Sequence, residues 1–178
     1  QAHGMKYDTL DITAMNAYYE LPGYYVPTLM NKEKPGSGDN RAPGNCSAFI
    51  ATGSFTKDHK IVIAHNNWTD YIIGERWNVI ADIKPEKGNR ILMDPGPGFI
   101  HSGDDFLVTN SGIVVTETTI TQFKGYDTTK TPEFVRARRA AQYANSIDDF
   151  VKIMTTDNNG GYANDWLIGD TKTNEVAK

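Results

Sequence analysis

The stretch RAPGNCSAFIATGS, residues 41–54, changes character at its midpoint, and that change decides how the chain is built. Up to Asn45 it is rich in Pro, Gly and polar residues, the composition of a loop. From Cys46 it becomes CSAFIATG, a short apolar run closed by Thr52 and Gly53, which reads as a strand. KIVIAHNN, residues 60–67, reads as its partner across the polar turn SFTKDH. In an antiparallel hairpin the start of one strand lies beside the end of the next, so His65 or Asn66 is expected beside Cys46. This is the single cysteine of the chain, and it can make no internal disulfide. It is either a small apolar packing residue or a nucleophile held at an accessible strand end.

Upstream, DTLDITAMNAYYEL at residues 8–21 predicts a helix capped by Asp8, with Asp11 three positions on and Leu10, Ala14, Tyr18 and Leu21 as its apolar face. Pro22 and Gly23 are expected to stop it. Residues 31–45, NKEKPGSGDNRAPGN, hold almost no large apolar side chain and predict a loop. Downstream, WNVIADI is expected to pair with RILMD, and DFLVT with GIVVTETTI. Two helices follow. The first takes Thr131 as N-cap with Pro132 at the first helical position and runs through Ala144. The second opens on Ser146 and Asp149 as a capping box, with Ile147, Phe150, Val151 and Met154 on its apolar face. DNNGGYAN then leads into a strand, DWLIGD, and a turn at residues 170–174 into one more. Meandering antiparallel strands packed against helices make an α+β plan, not a run of βαβ units.

The length of 178 residues predicts one domain, and nine Tyr with three Trp give a globular composition. The net charge of -4 gives no electrostatic reason to expect nucleic acid or an anionic membrane as partner. No apolar run reaches the length of a membrane span, so no integral membrane contact is expected. The opening QAHGMKYDTL suits a processed product, with any export signal lying upstream. Arg136, Arg138 and Arg139 form the richest basic cluster and are expected on a solvated helix face.

The lone cysteine gains meaning from its place. If the peptide bond before it is cut, Cys46 becomes an amino terminus whose α-amine, with an ordinary pKa of about 8, can accept the thiol proton. Nucleophile and base then reside in one residue. His65, with Asn66 and Asn67, would supply an imidazole and amides nearby. Asn164 stands where a glycine-rich turn feeds a strand; its amide either donates to an oxyanion or closes the turn. Thr116 and Glu117 lie on one strand, and alternation gives one of them to core or cleft. Trp68, Trp77, Tyr162 and Trp166 either line an apolar pocket or fill the core. His59, His65 and His101 lack metal-site spacing and one cysteine cannot build a zinc cluster, so no metal or other cofactor is expected. Asp104 and Asp105 either ligate something or close a turn.

Three blocks in order, NCSAFIATG with KIVIAHNNW, SGDDFLVTNSGIVVTETTI, and RARRAAQYANSIDDFVKIM with NNGGYANDWLIGDTKTNE, resemble the phospholipase B-like and C45-type N-terminal nucleophile (Ntn) hydrolases. The resemblance implies a four-layer αββα sandwich of two antiparallel sheets, incomplete in this chain. It implies a helical segment and processed linker at residues 1–45, and the first part of a catalytic domain at residues 46–178. It casts Cys46 as the residue that cuts the chain before itself and then serves as nucleophile, His65 as its polar partner and Asn164 as the oxyanion donor. Trp68 and Thr116 would shape the pocket. The implied activity is acyl hydrolysis or transfer on a small amide or ester. Missing strands would leave faces open to self-association or to the rest of the protein. The competing expectation is a catalytically silent relative, or an interaction fragment of the same fold.

Overall fold

The computed structural model describes residues 4, 6–33, 46–103, 105–120, 123 and 125–178. Helix α1 (Thr9–Asn16) opens as the sequence predicts. Asp8 Oδ1 accepts from the backbone N–H of Leu10 and Asp11, and Asp11 Oδ2 accepts from Asp8 N–H at 2.9 Å, a complete capping box. The rest of this segment departs from expectation. After α1 the chain turns, enters a π-helical turn (Leu21–Tyr25) and continues as α2 (Val26–Glu33). Pro22 therefore does not end the helical path, because it sits in a first turn, where its missing N–H costs nothing. The apolar face expected of α1 is not buried: Leu10 is 74% exposed. The buried residue of α1 is Asn16, whose amide donates to Gly98 O and accepts from Ile100 N–H at 2.7 Å. Helix α2 takes in residues 31–33 of the expected loop, and the remainder of that loop lies outside the described residues.

β1 (Ser47–Ala51) and β2 (Val62–Asn66) form the expected hairpin, with Ser47 opposite Asn66 and Ala48 opposite His65. A short helix that periodicity did not reveal, α3 (Tyr71–Arg76), follows. β3 (Ala81–Ile83), β4 (Ile91–Met93), β5 (Phe106–Thr109) and β6 (Ile113–Thr119) then run as a meander. Helices α4 (Glu133–Tyr143) and α5 (Ile147–Thr155) come next, then β7 (Asn164–Asp170) and β8 (Glu175–Ala177). β3 to β8 make one antiparallel sheet in sequence order. Its helix-side core joins Ile91, Met93, Leu107, Ile113, Val115 and Ile168 to Ala137, Ala140, Phe150 and Met154. The β1–β2 hairpin packs on β6 and β7. Gly169 permits that approach, since a Cβ there would stand 2.9 to 3.1 Å from Ile61, Val114 and Ile50 side-chain atoms. The result is a mixed α+β fold of antiparallel sheets flanked by helices. Among the described residues the second sheet has two strands, and Phe49, Phe55 and Val62 are exposed. Such an open arrangement suits an incomplete αββα sandwich.

Two local readings need correction at α4 and α5. Pro132, not Thr131, is the N-cap of α4, and Thr131 instead donates its hydroxyl to Asp157. At α5 Ser146 Oγ accepts from Asp149 N–H, but Asp149 turns back to Asn145 N–H, so only half of the box forms. A larger correction concerns Arg136, which is buried, not solvated. Its guanidinium donates to the carbonyls of Thr131 and Met154 and to Asn159 Oδ1, closing the α4–α5 corner.

The segment ahead of Cys46 is bolted to the body by buried polar groups. Glu20 Oε1 accepts from Glu133 N–H at the start of α4, and Oε2 accepts from Asn159 Nδ2 and the Tyr126 hydroxyl. A Cβ at position 161 would overlap the Glu20 carboxylate, so glycine makes room for it. Tyr19 donates to Gly103 O, and the Tyr24 hydroxyl oxygen accepts from Ala163 N–H at 2.8 Å. Burial pushes the Glu20 carboxyl above its ordinary range, against the three donors and Arg136. Glu20→Ala strands three donors in the interior and is expected to destabilise the fold by about 3 kcal/mol or more, read as a shift in the urea midpoint at pH 7.

Candidate active site

Cys46 stands immediately before β1, half-buried, with Sγ 3.7 Å from Asn67 Oδ1. The hairpin register that sets Ala48 opposite His65 carries the imidazole to the same end. Two carboxyl groups complete the cluster: Asp105, just ahead of β5, and Glu117 on β6. A sulfur, a ring nitrogen and one oxygen from each carboxylate all lie within 4.8 Å of one another. The Tyr162 hydroxyl is 2.8 Å from Asp105 Oδ2 and 3.3 Å from Glu117 Oε1 and bridges the two acids. Asp105 and Tyr162 both adopt positive φ, 57° and 43°. For tyrosine that conformation is costly and survives only where surrounding structure enforces it.

The electrostatics follow from crowding. Burial lifts the Glu117 carboxyl far above the usual carboxylate range, and the neighbouring charges of Asp105 and Cys46 lift it further. A proton therefore resides on the Asp105–Glu117 pair at neutral pH. Tyr162 is raised by the same causes, burial first.

Cys46 opens onto a cleft of about 810 Å³ whose walls include Trp68, Tyr71, Ile73, Tyr18, Tyr19 and Tyr162. Trp68 is largely exposed, and its indole N–H donates to Ser47 Oγ at 3.4 Å. Asn164, the first residue of β7, pairs with Thr119; Thr119 lines the cleft and Asn164 does not. Neither the oxygen nor the nitrogen of its side-chain amide makes a hydrogen bond, although both are buried. Thr116 is buried on β6 opposite Phe106 and lies outside the lining of the cleft. Both members of the Thr116–Glu117 pair are buried, where alternation promised only one. The β1–β2 hairpin packs on β6, and Ile113 and Val115 of the same strand join the core under the helices. Asp104 lies outside the described residues.

A phospholipase B family model matches residues 3–178, nearly the whole chain. The chain belongs to the phospholipase B family. A phospholipase B-like 2 protein of Bos taurus is 32% identical over 163 residues, covering 83% of this chain and 27% of that protein. Its Homo sapiens counterpart is 30% identical, covering 79% and 26%. The Homo sapiens phospholipase B-like 1 is 29% identical, covering 72% and 25%. The chain thus spans about a quarter of the length of these relatives. No helix among the described residues is long and apolar enough to cross a membrane.

Asp105 and Glu117 supply the acids of this family member's site and Tyr162 the hydroxyl that orients them, and the sequence offered them only as turn, strand or pocket candidates. Their meeting depends on the register of β5 with β6 and on the turn before β7, which no local pattern encodes. The other described histidines stand elsewhere. His59 is exposed in the β1–β2 turn, its ring against Gly53 O. His101 is buried, stacked on Phe99 at 5.3 Å, with Nε2 making no hydrogen bond. Burial lowers its pKa to about 4. The neutral ring is favoured in the fold, and the unfolded chain binds the proton first. This stability is whole above about pH 6.5 and is lost as pH falls toward 4, about 3 kcal/mol in all. His101→Phe is expected to remove that acid sensitivity, measured as the difference in unfolding free energy between pH 7 and pH 4.5.

Proposed function

We propose that this chain carries the nucleophile of an Ntn-type acyl hydrolase or acyltransferase, activated by scission between Asn45 and Cys46. The observation that supports it most is the position of Cys46: the first residue ahead of a rigid strand, its thiol lining a large cleft. Membership of the phospholipase B family agrees with hydrolysis of an acyl bond. On this reading residues 1–45 are the segment and linker set apart by the cut, and residues 46–178 open the catalytic αββα domain.

In self-cleavage, Sγ attacks the carbonyl carbon of Asn45 and the C–N bond to Cys46 breaks. The departing nitrogen takes the thiol proton, and water hydrolyses the thioester. The products are an Asn45 carboxylate and a free Cys46 α-amine. In turnover that amine takes the thiol proton and the thiolate attacks the substrate carbonyl. The amine then returns the proton to the leaving group, and water or an acceptor amine releases the acyl group. Asn164, whose buried amide hydrogens are uncommitted, is the oxyanion donor. His65 serves as polar partner of the thiol, Trp68 as an apolar wall for the acyl group, and Thr116 supports the strand behind it. The substrate class is a small amide or ester.

Intact mass of full-length protein over time, wild type beside Cys46→Ala, tests the proposal. The wild type is expected to split before Cys46 while the variant stays whole. A wild type that stays whole and turns over no acyl amide or ester would mark a catalytically silent family member. In the cut enzyme, Asn164→Ala is expected to lower kcat by about 10²–10³-fold with little change in KM, measured by steady-state hydrolysis of a chromogenic acyl amide.

A further inference from the structure

We propose that the Cys46, His65, Asp105 and Glu117 cluster is a binding site for one zinc-class divalent cation, and that occupancy silences the thiol. The sequence shows no metal motif because the four donors come from four separate stretches, joined only by the fold. Their donor atoms lie within 4.8 Å of one another. Four points so confined fit in a sphere whose centre is at most about 2.9 Å from each, against zinc–ligand bonds of about 2.0–2.3 Å. A side-chain adjustment of at most about 0.9 Å per ligand closes the site.

The second observation is Glu117 itself. The residue is fully buried, and its Oε2 accepts no hydrogen bond. A buried carboxylate oxygen with no donor against it is available to coordinate a cation. Tyr162 fixes the orientation of both acids from outside the cluster, as outer partners of metal ligands do. Thiolate and imidazole favour zinc over magnesium or calcium, which prefer all-oxygen shells.

Binding forms an S–Zn bond at the expense of S–H; the thiol proton passes to solvent, no electron is transferred, and affinity rises with pH. The coordinated sulfur can no longer attack a carbonyl. The silencing rests on Cys46 being the nucleophile proposed above; the binding does not.

The test uses full-length, chelator-treated protein. Zn²⁺ titration by calorimetry is expected to give one ion per chain with proton release. Co²⁺ is expected to give a thiolate charge-transfer band, and Zn²⁺ to protect Cys46 from iodoacetamide. Cys46→Ser is expected to abolish the Co²⁺ band, and Glu117→Gln and His65→Asn each to weaken Zn²⁺ about tenfold or more. Should Glu117→Gln lose its cooperative melt, His65→Asn decides alone. Absence of stoichiometric binding, or binding unchanged in Cys46→Ser, overturns the site. Protein that cuts itself and turns over substrate regardless of Zn²⁺ overturns the silencing, and leaves the nucleophile reading standing. Protein that binds Zn²⁺ through Cys46 yet never cuts or turns over keeps the site and removes the nucleophile reading.

Discussion

A thiol, an imidazole and two buried carboxyl groups share a space in which donor atoms stand within 4.8 Å of one another. Two unit charges of like sign at about 4 Å repel by about 4 kcal/mol even at the effective permittivity of a protein surface. The cluster cannot hold three anions. Everything around Cys46 answers that constraint. One carboxyl keeps a proton, Tyr162 points its hydroxyl at both acids, and two non-glycine residues accept left-handed backbone to bring those groups together. Whether a thiolate can exist here depends on what else carries positive charge or a proton at the same moment.

Much of the scaffold is legible in the chain because it is local. The alternation and turn residues of CSAFIATG and KIVIAHNN fix the β1–β2 hairpin, and the later hairpins follow from the same signals. Asp8 and Asp11 declare the start of α1 through groups three residues apart. What is illegible is tertiary. The three arginines of α4 look alike in sequence, yet Arg136 is buried because carbonyls of Thr131 and Met154 converge on it. Leu10 looks like a core residue and is not, because α1 docks through the Asn16 amide. α3 leaves no periodic signal, because six residues are too few to show a helical period.

The site divides the same way. Cys46 and His65 are neighbours by hairpin geometry, which the sequence supplies. Asp105, Glu117 and Tyr162 join them through sheet register and a strained turn, which it does not. Asn164 is intermediate: its strand position is readable, while the uncommitted state of its amide is not.

The carboxylate of Glu20 reaches forward across the whole later chain, to Glu133, Tyr126 and Asn159, while Tyr24 holds Ala163 beside Asn164. Covalent continuity at position 45 is therefore not what keeps the first helices in place. A chain cut there would behave as a two-piece molecule whose smaller piece is a permanent lodger. That piece supplies the Tyr18 and Tyr19 wall of the cleft and braces the strand that carries Asn164. Expressed alone, the larger piece would be missing part of its own pocket.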